Sequence, residues 1–167
     1  VDDAVDPSPS LTFVDVTTPG SCAQSYTVTR TWTATDACGN SNTASRTAIV
    51  EDRTPPVWSG GGGPRVLEAP ATPVFDTPAA SDVCDPAPAV TFADVTTPGS
   101  CAQSYTVTRT WTATDACGNS STTSQAITVE DRTAPELSGV GDPRVIESPE
   151  EPSFSTPSAV DAADSNP

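Results

Sequence analysis

The stretch DVTTPGSCAQSYTVTRTWTATDACGNS occurs twice, letter for letter, at Asp15–Ser41 and again at Asp94–Ser120. The same shift carries Cys22 onto Cys101, Cys38 onto Cys117 and Trp32 onto Trp111. PRVLEAP at Pro64 recurs as PRVIESP at Pro143, and VEDRTPP at Val50 recurs as VEDRTAP at Val129. Pro9, Pro88 and Pro167 stay in register with it. Repetition this strict confines the chain to an array of like units. The period of about 79 residues is too long for the common solenoids of roughly 20–50 residues. It suits a small β-sandwich module.

Within each copy the best-patterned segment is SYTVTRTWTATD. Tyr26, Val28, Arg30, Trp32 and Ala34 alternate with Thr27, Thr29, Thr31, Thr33 and Thr35, which predicts a half-buried antiparallel strand. DACGN supplies turn residues, and TASRTAIVED reads as the returning strand of a hairpin. RVLEAP, PVFDTP and AVTFADV are the expected earlier strands of the module, with prolines at sheet edges. No segment has the apolar spacing of a long helix. In DRTPPVWSGGGGP, proline removes donors and glycine removes stiffness, so pairing is expected to stop in a linker there and again at Asp131–Pro135. The expected organisation is the later part of one module at 1–53, a complete module at 54–132 and the opening part of a third at 133–167.

The chain carries 22 acidic residues against 7 basic ones, a formal net charge of −15, and has no Lys, His or Met. Nothing in that balance neutralises phosphate, so nucleic acid and anionic membrane surfaces are not expected as partners. No run of about 20 apolar residues is present, so this segment is not expected to insert in a membrane. Lack of His excludes a Ser-His-Asp triad, and lack of Lys removes Schiff-base and P-loop chemistry. The SGGGGP run lacks the Lys-Ser/Thr of a phosphate loop. An enzyme is not expected.

YTVTRTWTATDACGN, the Thr-rich strand after it and VEDRTPP together resemble the hyalin-type and related immunoglobulin-like repeats of large surface proteins. The resemblance implies an all-β fold of tandem immunoglobulin-like β-sandwich modules. It further implies an extracellular or cell-surface location and a spacer or adhesive role. The cysteine positions and the Gly-rich linker depart from the hyalin-type pattern.

Five cysteines are present: Cys22, Cys38, Cys84, Cys101 and Cys117. A strand with no turn residue separates Cys22 from Cys38 and, at about 3.3 Å per residue, holds its ends about 30 Å apart. A disulfide requires Cα atoms about 4.4–6.8 Å apart, which rules that pairing out. Cys84 in SDVCDP and Cys117 in TDACGN sit in loops that one end of a sandwich could bring together, so Cys84–Cys117 is the expected bridge. Zinc is not expected without a CxxC or a His.

Asp36, Glu51, Asp52, Asp82, Asp85 and Asp115 cluster at the module ends, where acidic residues of such repeats hold calcium; these are the candidate calcium ligands. Asn119 heads an Asn-Ser-Ser sequon, and Thr17, Thr18, Thr96 and Thr97 in the TTPG segments are candidate glycosylation sites. The expectation is a structural repeat segment of an extracellular stalk, appendage or filament, glycosylated and assembling head to tail with copies of itself or neighbouring modules. The competing class is a cell-surface adhesin module that binds glycans or a host surface, with calcium as its cofactor. A binding module should carry a distinctive aromatic loop, and Trp58, in the linker, is the aromatic outside the framework.

Overall fold

Alternation along the repeated segment produces long antiparallel strands. A computed structural model describes residues 8–101 and 103–163. β1 (Ser10–Pro19), β2 (Tyr26–Thr35) and β3 (Ser41–Val50) form a three-stranded sheet in the order β1-β2-β3, with β2 antiparallel to both neighbours. After β4 (Val57–Ser59), β5 (Arg65–Glu68) and β6 (Ala79–Ser81) come β7 (Ala89–Pro98), β8 (Tyr105–Thr114) and β9 (Ser120–Glu130). β5, β9, β8 and β7 form a four-stranded sheet in that order, and β5 runs parallel to β9. β4 pairs with β6, and β10 (Glu136–Ser138) pairs with β11 (Ser158–Val160). Among the described residues the chain is all-β, without helix. Strands begin at repeat-equivalent positions in pairs: residues 10 and 89, 26 and 105, 41 and 120, 57 and 136, 79 and 158.

The described residues fall into two compact units. One gathers residues 8–58, 80–91 and 112–121, and the other gathers residues 59–79, 92–101, 103–111 and 122–163.

The Thr face of the long strands is tied by hydroxyl pairs across neighbouring strands. Thr29 and Thr47 meet at 3.1 Å, Thr31 and Ser45 at 2.9 Å, and Thr106 and Thr128 at 3.1 Å. These pairs explain why β-branched hydroxyl residues suit a face that water also reaches. On the opposite face, Trp111 and Ala113 of β8 and Ile127 and Val129 of β9 are buried. Burying a side chain the size of Ile127 or Val129 contributes about 1.5–3 kcal/mol. Ala69 and Ala163 pack with Val129.

Arg109 lies on this inward face of β8. Its guanidinium stands 4.1 Å from the Phe92 ring and 4.4 Å from the Phe75 ring, and Nε and Nη2 donate to the Asp94 carboxylate at 2.7 Å each. Phe75 in turn meets Trp111 edge-on, with centroids 6.2 Å apart. A planar cation fits between two rings because the quadrupole of each ring attracts it, and the bidentate carboxylate fixes its plane. The first sheet repeats part of this stack. Arg30 lies 4.1 Å from the Phe13 ring and bonds Asp15 at 2.7 Å, but no described residue takes the place of Phe75. Trp32 is therefore only half-buried where Trp111 is 6% exposed, and Leu11, Phe13 and Ile49 face solvent.

Two sequence expectations require correction here. PVFDTP forms no strand, since Pro73 and Pro78 deny the ladder its donors, and Phe75 acts through its ring. The Gly60–Gly63 run is not a loose linker. Trp58 enters β4, and a Cβ on Gly62 would collide with the Asp76 carboxylate. Gln125 locks that crossing: its Nε2 donates to the Gly63 carbonyl at 3.0 Å and to Asp76 Oδ2 at 2.9 Å, and its Oε1 accepts from the Asp76 N–H at 3.0 Å.

Trp111→Ala is expected to destabilise the protein by about 3–5 kcal/mol, as for a buried aromatic truncated to Ala. Trp32→Ala should cost distinctly less, because its ring is only half covered; paired denaturant melts compare the two. The hydrogen bonds from Arg109, foremost, hold the Asp94 carboxyl below the usual carboxylate range. That contribution is full above the unfolded value of about 4 and is lost as pH falls through the lower folded value. Asp94→Asn should therefore melt lower at neutral pH and lose less stability than wild type on acidification, as read by thermal melts across the acid range.

Candidate functional site

The β8–β9 turn is shaped by Asp115. Its Oδ1 accepts from the N–H groups of Cys117 (2.9 Å) and Asn119 (2.8 Å), and its Oδ2 accepts from Asn119 Nδ2 (2.8 Å). Gly118 closes the turn at φ 91°, in the left-handed region that glycine enters without strain. The β2–β3 turn is the same device. Asp36 accepts from Cys38 N–H (3.0 Å), Asn40 N–H (2.7 Å) and Asn40 Nδ2 (2.8 Å), and Gly39 sits at φ 89°. The hydrogen bond from Asn40, first of all, holds the Asp36 carboxyl below its ordinary value.

At the far end of each long strand lies the second cysteine of the repeat. In the β1–β2 turn the Gly20 N–H donates to the Ser25 carbonyl at 2.7 Å, the Ser25 N–H donates to the Cys22 carbonyl at 3.0 Å, and Cys22 Sγ lies 3.0 Å from Ser25 Oγ. Cys22 is bonded to Cys117, with Cα atoms 5.1 Å apart. The expected Cys84–Cys117 bridge is thus corrected: Cys117 is taken by Cys22, and Cys38, Cys84 and Cys101 are free thiols. The physical reason is a stagger. Each copy carries its cysteines at opposite ends of a strand, so Cys22 pairs with a cysteine one repeat further along. Their sequence separation of 95 is one full repeat period plus the step from Cys22 to Cys38.

Further hydrogen bonds surround the bridge. Asn119 Nδ2 donates to the Asp52 carbonyl at 3.1 Å, and Ser121 Oγ donates to the Pro56 carbonyl at 2.5 Å. Asp85 Oδ2 accepts from the Ala116 N–H at 2.9 Å. A groove of about 290 Å³, lined in part by Cys22, Tyr26, Val50, Asp52 and Cys117, runs beside the disulfide.

Of the six candidate calcium ligands, Asp52 and Asp82 come together, and Cys84 joins them with ligand atoms within 4.8 Å of one another. Asp82 Oδ1 already accepts from the N–H groups of Cys84 (2.8 Å) and Asp85 (2.9 Å). Asp52 Oδ1 accepts from the Thr54 N–H and hydroxyl, while its buried Oδ2 has no hydrogen-bond partner. Asp36 and Asp115 each cap their own turn, Asp85 holds the Ala87 and Ala116 N–H groups, and Glu51 pairs with Arg53. Calcium takes six to eight oxygen ligands. Two carboxylates and a soft thiol fit that requirement poorly.

Asn119, the sequon residue, uses both Nδ2 hydrogens in the junction, and a sugar on that nitrogen would displace one of those bonds. Thr17, Thr18, Thr96 and Thr97 lie exposed near the ends of β1 and β7. Trp58, singled out as an aromatic outside the framework, is half-buried in β4 rather than displayed on a loop.

No protein-family model matches the chain, and no curated protein matches it. No helix among the described residues is long and apolar enough to cross a membrane. The chain is an all-β protein with a disulfide that joins two copies of its repeated sequence.

Desolvation first, and then the charges of Asp52, Asp82 and Asp115, push the Cys84 thiol up from its ordinary value. Fewer thiolates mean slower alkylation. With iodoacetamide at mildly alkaline pH, Cys84 should label after the exposed Cys38 and Cys101, and should catch up as pH rises. Peptide mass spectrometry reads the order, and labelling of Cys84 first contradicts the acidic niche.

Proposed function

We propose that the chain is a structural repeat segment of an extracellular stalk or filament, built from tandem immunoglobulin-like modules related to hyalin-type repeats and assembling head to tail. One observation carries it: the stack completed at Arg109 has two unmatched halves elsewhere in the chain. Phe75 reaches Arg109 and Trp111 from the segment between β4 and β6. The segment between β10 and β11 repeats it one period later, with Phe154 at the place of Phe75, yet Phe154 is 91% exposed. It lines a groove of about 870 Å³ with Pro143, Arg144 and Ile146. On the first sheet a groove of about 500 Å³ is lined by Arg30, Trp32 and Arg46, among others.

Phe154 therefore fits the Arg30–Trp32 face of a further copy of the repeat, in another chain or in a neighbouring module, as Phe75 fits Arg109 and Trp111. Charge favours the match. Arg46 occupies the repeat position of Gln125, Asp142 that of Gly63 and Ser155 that of Asp76, so an amide that meets a carbonyl and a carboxylate inside the chain becomes a cation between copies, with a carboxylate at one of the two facing positions. A contact between unlike surfaces is heterologous, and where its rotation does not close into a ring it propagates into a fibre. An oxidising, extracellular setting agrees with the disulfide. The threonines of the exposed strands supply attachment points for sugars in this setting.

In reducing buffer the full chain should self-associate with rising concentration in sedimentation velocity. Phe154→Asp should remain monomeric with an unchanged circular dichroism spectrum. A variant that assembles like wild type, or a wild type that stays monomeric throughout, refutes the proposed contact.

A further inference from the structure

We propose that Cys101 of one copy and Cys38 of the next form an intermolecular disulfide, reproducing between chains the Cys22–Cys117 bridge within the chain. The inference rests on the head-to-tail assembly proposed above and adds a covalent joint to it.

Both halves of the bridge are already built. Cys101 sits in a turn like the one that holds Cys22: the Gly99 N–H donates to the Ser104 carbonyl at 2.7 Å, and the Ser104 N–H donates to the Cys101 carbonyl at 3.0 Å. Its Sγ lies 2.7 Å from Ser104 Oγ, as Cys22 Sγ lies 3.0 Å from Ser25 Oγ. Cys38 sits in the Asp36 turn, whose bonds match those around Cys117. They measure 3.0 and 2.9 Å at the two cysteine N–H groups, and 2.7 and 2.8 Å at the two Asn N–H groups. Both thiols are exposed. The two partners differ from bonded Cys22 and Cys117 by one repeat and not by local structure.

The surroundings of the existing bridge also recur. The Asp52 carbonyl receives Asn119 Nδ2, and Asp52 is fixed by the Thr54 N–H and hydroxyl. One repeat on, Asp131 is fixed in the same way by the Thr133 N–H and hydroxyl at 3.1 Å each. One repeat back, Asn40 stands where Asn119 does. A Cys101–Cys38 joint thus brings the Asp131 carbonyl of one copy to Asn40 Nδ2 of the next. Cys84 has no such counterpart, since Ala163 stands at its repeat position.

The bond forms by exchange with a low-molecular-weight disulfide such as oxidised glutathione. The Cys101 thiolate attacks it and releases one small thiol, and the Cys38 thiolate of the neighbour then attacks the mixed disulfide and releases the second. Two protein thiols give up two electrons and two protons, and one small disulfide becomes two thiols.

The test mixes isotopically heavy and light full-length chains, equilibrates them with oxidised glutathione, and maps disulfide-linked peptides after alkylation of free thiols. The expected result is Cys38–Cys101 peptides joining a heavy to a light chain, with a covalent ladder on non-reducing gels. Cys38→Ser and Cys101→Ser should each remove that ladder beyond the dimer while leaving the Cys22–Cys117 peptide intact. Cys38–Cys101 peptides exclusively of a single isotope, like-with-like pairs in clear excess over random joining, or no linked peptide each overturn the proposal. Sedimentation in reducing buffer separates the two ideas. Association there without the mixed-isotope peptide leaves head-to-tail assembly standing and removes the covalent joint, whereas lack of association and of the peptide removes both.

Discussion

A ten-residue strand is a rigid spacer, and here each of two such strands carries a cysteine in the turn beyond either end. At about 3.3 Å per residue the strand spans about 33 Å, several times the reach of a disulfide. The two cannot pair with each other within one copy, so a bridge between these two positions crosses from one copy to another. The observed bridge does this with Cα atoms 5.1 Å apart. In the chain-entropy picture, closing a loop of this length removes about 4–5 kcal/mol of freedom from the unfolded chain. That is comparable with the whole net stability of a small domain.

The staple matters because the apolar interior is slight. Ile127 and Val129 are the largest fully buried side chains, and buried alanines occupy places where larger domains put leucine. The Arg109 stack compensates by making one long side chain serve as filler, ring partner and ion-pair donor at once. The arrangement also suits a chain of net charge −15, since Arg109 and Arg30 each neutralise an aspartate on the sheet face where apolar residues must gather. The Phe rings that shield the cation come from different parts of the chain: Phe92 from the neighbouring strand β7, Phe75 from the segment before it. Sheet and covering segment are therefore coupled through this guanidinium, beside the Phe75–Trp111 contact and the Gln125–Asp76 hydrogen bonds.

The long strands were legible because period-two alternation needs only local sequence. Tyr26–Thr35 appears as a strand with Thr on one face, and the DACGN turn lies where Asp, Gly and Asn place it. The short strands were not. Val57–Ser59 and Ala79–Ser81 are three residues each, too short for periodicity, and exist because each supplies the other's partner. The glycine run reads as flexible only when Asp76 and Gln125 are ignored; neither is near it in sequence, and both press against it in space. For the disulfide, the signal lay in the repeat itself. Comparing Cys22 with Cys38 asked whether one copy could close on itself, while the useful comparison was Cys22 with the copy of Cys38 one period later. Arg109 likewise looked like a charge placed on an apolar face, and its aromatic partners are contributed by distant positions.

The staggered bridge also fixes where tension travels. A pull on Cys101 passes along β8 to Cys117, crosses the disulfide to Cys22 and continues along β2 to Cys38. The covalent line uses the two long strands and bypasses the proline- and glycine-rich stretch between β3 and β7. Within that stretch, Phe75 covers the sheet at Arg109. In the proposed assembly, a Cys101–Cys38 joint between copies would continue the same covalent line, with one long strand and one disulfide per repeat. The proposed joint would account for the strict identity of Asp15–Ser41 with Asp94–Ser120. A turn that must accept a cysteine from the preceding unit, and another that must offer one to the next, tolerate little variation at either end of the strand between them.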